Sequence, residues 1–245
     1  MPSNSPVALV IAGLDPSGGA GLLLDTRVMT EQGVYAAGVV TALTEQDTRG
    51  VYEVKPVDDV LLAHQIGRVV SDLKVSAVKI GMLGTAKVAR AVLSGLAGVR
   101  IPIVLDPILR SSSGVSLLDD PAALDPLIAR ATLVTPNREE AERLGGVEGL
   151  ARRGARAVLW KGGHSQTGAV VVDRLVDEHG EREFSGPRVP GGEDVHGTGC
   201  ALASAIAAQL ARGADLREAC RVATNFVRAR IAAAQRLGRG ARVIA

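Results

Sequence analysis

Two hydrophobic rhythms alternate along the chain. Short continuous apolar runs fit strands buried on both faces, as in a parallel sheet: Val7 to Gly13, Ala37 to Leu43, Ala77 to Ile80, Ile103 to Asp106, Leu133-Val134 and Ala157 to Trp160. Between them lie segments with helical spacing. One runs from Leu22 to Gln32 and stops at Gly33. Another starts at Asp58, an N-cap, and continues to Lys74 with Leu62, Ile66, Val69, Val70 and Leu73 as its stripe. Thr85 to Ser94, Pro121 to Arg130, Asn137 to Leu144 and Val147 to Arg153 follow the same pattern. Thr44 to Gly50 reads as a polar loop, and Val51 to Val57 as a short strand or bend. Ala169 to Val172 and Glu183-Phe184 read as antiparallel strands around Asp177 to Gly180. Such alternation predicts an α/β fold, a mostly parallel central sheet with helices on both faces, in one domain over residues 1–245.

Connections of this kind place functional loops at the carboxyl ends of strands. Polar and glycine-containing stretches fall there: Asp15 to Gly21, Gln46, Gly81-Met82, Asp106, Thr135 to Asn137, and Lys161 to Gly163. Asp194 to Cys200 precedes an Ala-rich run with Leu202, Ile206 and Leu210 one turn apart, which predicts a helix with one buried face. Gly197 to Cys200 then sit at a helix N-terminus, whose free N–H groups and dipole suit an anion and would favour the Cys200 thiolate. The plainer reading keeps the glycines as a tight turn and Cys200 as a small buried residue. Asp215 with Glu218 predicts a capping box for the last helix.

Composition narrows the chemistry. The 47% hydrophobic content with only 2% aromatics predicts an aliphatic core and leaves no stacking surface for single-stranded nucleic acid. A net charge of +2 without basic runs argues against nucleic-acid binding. Cys200 and Cys220 make neither a disulfide framework nor a zinc site, and His64, His164, His179 and His196 are scattered. No stretch reads as a signal peptide or a membrane span, so a cytoplasmic protein is expected. P-loop and dinucleotide fingerprints are missing. What remains is the anion site, Lys161 at a strand end, and Asp106 and Glu140, which suit a hard cation directly or through water. Those are parts that phosphoryl transfer needs.

Seven stretches, in order, cover nearly the whole chain: Ala12 to Gly21; Thr41 to Leu43 with Gln46 to Val51; Lys79 to Leu83; Leu105 to Pro107; Thr135 to Ala141; Lys161 to His164; and His196 to Cys200. Together they resemble the hydroxymethylpyrimidine/phosphomethylpyrimidine kinases of thiamine biosynthesis, in the ribokinase-like superfamily. That resemblance implies a ribokinase-like three-layer sandwich, a homodimer, and ATP and Mg2+ as cofactors. It implies that Gln46 reads an aminopyrimidine ring, with Asp25, Met82, Ala20 and Gly13 lining the substrate pocket. Cys200 would be the base, and the Gly197, Thr198, Gly199 and Cys200 amides would hold the transferred phosphoryl. Asn137, Glu140, Lys161 and Asp106 would serve ATP phosphates, with Glu140 and Asp106 at magnesium. Asn137 with Glu140 is also a plausible helix cap. Family members often carry a lysine where this chain has Ser112, with Arg110 two residues before it. The alternatives are a pyridoxal kinase of the same superfamily and a non-catalytic pyrimidine-binding sensor.

Overall fold

The structure is a computed structural model and describes residues 5–111, 113–163 and 168–244; Ser112 and His164 lie outside them. The chain opens with β1 (Val7–Leu14), α1 (Gly21–Glu31), β2 (Tyr35–Asp47), β3 (Gly50–Pro56), α2 (Asp59–Asp72), β4 (Val75–Ile80), α3 (Ala86–Gly95) and β5 (Ile103–Leu105). A 3-10 turn (Pro121–Leu124) leads into α4 (Asp125–Arg130), followed by β6 (Leu133–Val134), α5 (Arg138–Arg143), α6 (Gly146–Arg152) and β7 (Val158–Trp160). The hairpin β8 (Val170–Asp177) and β9 (Gly180–Pro187) comes next. The chain then runs through β10 (Val195–His196), α7 (Thr198–Ala211), α8 (Leu216–Ala232) and β11 (Arg242–Val243).

Among the described residues, nine strands form one sheet in the order β3-β2-β1-β4-β5-β6-β7-β8-β9. The six from β2 to β7 are mutually parallel, and antiparallel partners close both edges. Alternation along β1 explains the layering. Ala8, Val10 and Ala12 pack into the core shared with α1, α7 and α8, while Leu9 and Ile11 enter the core shared with α2 and α3. The chain adds β2 on one side of β1 and β4 on the other, so the strand order reverses there. A crevice opens at such a switch point, beyond the carboxyl ends of the strands.

The structure departs from the sequence reading in three places. Thr44 to Asp47 are not loop but the end of β2, paired with β3 through Thr44↔Val54 and Asp47↔Gly50. Their side chains are polar on both faces, because the hairpin projects beyond the covered part of the sheet, so hydrophobic alternation is absent. Second, α7 has no solvent face: Ala201 to Ala208 are all buried, as are Leu210 and Ala211. Alanines on its remaining sides let it pack against β1, β4, β5, α1 and α8 together. Third, the box expected at α8 is half formed. Asp215 accepts from the Glu218 N–H, but the Glu218 carboxylate pairs with Arg221. The parallel pair β10–β11, in which His196 faces Val243, has no counterpart in the sequence reading.

Candidate active site

At the switch point lies a cleft of about 1490 Å³. Gly13, Ala20, Gln46, Met82, Asp106, Asn137, Glu140, Lys161 and Gly197 to Cys200 all line it. Residues up to 187 positions apart in the chain thus share one cleft, because each lies at or just beyond the carboxyl end of a strand, or in the first turn of a helix, at the same end of the sheet (Gly13 to Cys200). Cys220 does not take part; it is buried on α8.

Gly197 to Cys200 stand at the N-terminus of α7. Gly197 caps α7 with φ +82°, and a Cβ there would lie 2.1 Å from the Gly19 carbonyl oxygen and 2.6 Å from Leu24 Cδ2. Any other residue would be both strained and blocked. A Cβ placed on Gly199 would reach Lys161 Nζ at 3.1 Å and Asp106 Oδ2 at 3.9 Å, so the helix N-terminus faces a lysine and a carboxylate directly. Lys161 Nζ donates to Asp106 Oδ1 at 2.7 Å and sits 4.0 Å from Glu140 Oε2. Burial works against the Lys161 charge, but the two carboxylates outweigh it and hold the ammonium above its usual range. Burial pushes the Glu140 carboxyl up to about 7, with Lys161 opposing.

Asn137 and Glu140 form a complete capping box. Asn137 Oδ1 accepts from the Glu140 N–H at 2.9 Å, and Glu140 Oε2 accepts from the Asn137 N–H at 2.8 Å. The cap and the cleft therefore use the same two residues. No group of three or more His, Cys, Asp or Glu able to hold a metal occurs among the described residues. Asp106 and Glu140, converging on Lys161, still fit the donor set of Mg2+, which takes one or two carboxylates and completes its shell with phosphate oxygens and water.

At the other end, Gln46 Nε2 lies 3.3 Å from His196 Nε2, and Gln46 Oε1 lies 3.2 Å from the Thr44 hydroxyl, which donates to the Leu14 carbonyl. Burial lowers the His196 pKa while Asp15 opposes, so the ring is biased to its neutral form. Met82 packs its sulfur where a Gly13 Cβ would be, 2.6 Å away. Asp15 organises the intervening loop by accepting from the Ser17 and Ala20 N–H groups at 2.8 and 2.9 Å.

Two expectations are corrected. Asp25 does not line the cleft. It is fully buried on α1, accepting from Lys79 Nζ at 2.6 Å and from the Ser204 hydroxyl at 2.8 Å. Its position on the inner face of α1 turns it toward β4 and α7. Nor is the Cys200 thiolate the favoured form, its place at a helix N-terminus notwithstanding. Burial pushes the thiol up to about 12, and Lys79 and the Gly21 N–H offset this only in part. The sequence pattern marks neither His196, one of four scattered histidines, nor Lys79 as a functional residue. A charged residue within the apolar run Ala77 to Ile80 was the available signal for Lys79, since a lysine buried on both faces of a sheet needs a partner.

The family pattern described as phosphomethylpyrimidine kinase matches residues 15–245. The chain belongs to the phosphomethylpyrimidine kinase family. Among its relatives is the hydroxymethylpyrimidine/phosphomethylpyrimidine kinase of Rhizobium meliloti, 41% identical over 96% of this chain and 95% of the relative. The thiamine biosynthesis bifunctional protein ThiED of Geobacter sulfurreducens is 42% identical over 95% of this chain, which spans only 50% of that longer protein. Among solved structures, the phosphomethylpyrimidine kinase of Clostridium difficile 630 superposes with a TM-score of 0.77 at 32% identity, covering 90% of this chain and 97% of that one. Bacillus subtilis pyridoxal kinase, in an ADP complex, gives 0.87 at 27% identity, covering 98% and 97%. The kinase therefore has the ribokinase-like α/β fold that its motifs imply.

Proposed function

We propose that this single-domain kinase transfers the γ-phosphoryl of ATP to 4-amino-5-hydroxymethyl-2-methylpyrimidine and then to the resulting monophosphate, in thiamine biosynthesis. The observation that carries the reading is one cleft with an amide and an apolar wall at one end, Gln46 and Met82, and Lys161 at the other. Cys200 and the α7 N-terminus lie in the same cleft.

The pyrimidine ring lies against Met82, Gly13 and Ala20, and Gln46 pairs with its edge through a donor and an acceptor side by side. Asp106 and Glu140 hold Mg2+, which supplies charge neutralisation between nucleotide phosphates. Lys161 takes a phosphate oxygen, and Asn137 borders the same phosphates. In the first transfer the alcohol oxygen bonds to the γ-phosphorus, the bond to the leaving ADP breaks, and the alcohol proton passes to Cys200 in its thiolate form, a minor fraction near neutral pH because burial pushes the thiol up to about 12. The amides of Gly197, Thr198, Gly199 and Cys200 hold the moving phosphoryl oxygens. In the second transfer a phosphate oxygen of the monophosphate is the nucleophile. It is already anionic near neutral pH and needs no base. Asp25 acts from behind the wall by holding Lys79.

We also place the enzyme in the cytoplasm as a homodimer. No described helix is long and apolar enough to cross a membrane, and the β2–β3 hairpin exposes Leu43 and Tyr52. Pyridoxal is the second reading, favoured by the likeness to Bacillus subtilis pyridoxal kinase. An assay of ADP release with the two acceptors side by side decides between them. The expected result is faster turnover of the hydroxymethylpyrimidine; faster turnover of pyridoxal overturns the assignment.

A further inference from the structure

The loop after β7 leaves its ladder abruptly. Trp160 is the last residue paired with β8, opposite Arg174. The next N–H, of Lys161, turns the other way and donates to the Pro136 carbonyl at 3.0 Å. Gly162 then lies directly on β8: a Cβ there would be 1.9 Å from the Val172 carbonyl oxygen. Its N–H donates instead to a side chain, Asp173 Oδ1, at 2.8 Å. Aspartate is a poor strand residue. Here its carboxylate supplies the acceptor that the broken ladder no longer provides, as a charge-assisted bond. Arg188, just after β9, grips the same loop further on, donating to the Gly163 carbonyl at 3.4 Å and the Gly168 carbonyl at 2.9 Å. Asp173 and Arg188 both reach the cleft wall beside Lys161.

We infer that Asp173 is a positioning residue for the nucleotide: it pins Gly162, and so holds Lys161 where it meets the polyphosphate. The inference rests on the proposed role of Lys161. The Lys161 main chain is tethered at two consecutive amides, its own to Pro136 and the next to Asp173. Removing the second tether lets the peptide between Lys161 and Gly163 rotate, while the acceptor wall at Gln46 and Met82 is untouched. Its effect therefore falls on nucleotide affinity and not on pyrimidine affinity.

The test compares D173A, D173N and G162A with the wild-type enzyme. Calorimetry gives AMP-PCP affinity, and steady-state ADP release gives the two KM values. D173A is expected to weaken AMP-PCP binding and raise the KM for ATP about tenfold, the loss of one charge-assisted hydrogen bond; G162A, whose Cβ would be driven against the Val172 carbonyl oxygen, forces the loop off β8 and should weaken binding at least as much. The KM for the pyrimidine should stay within about twofold by the same reasoning. D173N keeps an oxygen facing the Gly162 N–H and should recover most of the affinity. If D173A does not fold, D173S, too short to reach, serves in its place. Equal rises in both KM values, or AMP-PCP affinity unchanged in D173A, overturn the inference alone. A wild-type protein that binds no AMP-PCP overturns the reading of Lys161 and this inference with it.

Discussion

The two ends of the cleft are built on opposite principles. At the proposed acceptor end the polar side chains are mostly neutral, Gln46 beside His196 and Thr44 bonded to the backbone of β1, and the one carboxylate, Asp15, is taken up by the N–H groups of its own loop. Glycines and a methionine set the shape there. At the nucleotide end three charged side chains, Lys161, Asp106 and Glu140, are buried against one another. Neutral donors and acceptors discriminate by what a wrong ligand leaves unpaired. Buried charges offer a field fixed in advance, and are tolerated only because each has a partner. Cys200 stands between the two ends, partly exposed to the cleft and near Lys79, with its thiol held well above its ordinary range.

The largest test falls on that boundary. Cys200→Ala should slow the first transfer by about 10²–10⁴-fold, the range of a general base. The second transfer should change by less than about tenfold, because its nucleophile is already anionic. With the thiol pKa at about 12, the thiolate fraction grows with pH through the whole neutral range. The wild-type first step should therefore accelerate between about pH 7 and 9 while the second stays flat. Stopped-flow ADP release with each acceptor reads both effects, and equal losses in the two steps would remove Cys200 from the role of base.

A middle-sized effect belongs to the acceptor end. Gln46→Leu should raise the KM for the pyrimidine by about 10–100-fold, from one or two lost hydrogen bonds, and leave AMP-PCP affinity alone. A parallel loss of nucleotide affinity would mean that the two ends are not independent.

The smallest effect concerns Glu140. Its folded-state pKa of about 7 exceeds the ordinary 4.5, so the folded protein holds that proton more tightly than the unfolded chain. The resulting stability is fully present below pH 4.5 and lost as pH rises through 7. Glu140→Gln keeps an acceptor for the Asn137 N–H and removes this dependence. Urea midpoints should show the variant gaining on the wild type between about pH 5 and 8, by on the order of 2 kcal/mol. A constant difference across that range would contradict the raised pKa.

Much of this was readable in the chain. The capping of α2 by Asp58 follows from local hydrogen-bonding chemistry, and the cap forms. Asn137 and Glu140 were legible both as a cap and as ligands, and nothing local separates the two readings. His196 was not legible as a neighbour of Gln46, because the contact joins residues 150 positions apart. Asp173 was hidden for a different reason: its partner, only 11 positions away, is the Gly162 amide, a backbone group that carries no side-chain signature. The strand Thr44 to Asp47 was missed because polar side chains on both faces erase the period of two.

By itself the sequence determined the order of the helices and of the strands of the main sheet, the glycine turn at Gly197, and the family to which the motifs belong. These depend on local sterics and on runs of apolar side chains, which travel with the chain. Only the tertiary structure decided that Asp25 lies behind the wall with Lys79, that α7 is buried all round, and that the Cys200 proton is held. Each depends on how much water is excluded and on which charge sits opposite. Those quantities exist only once distant elements have packed.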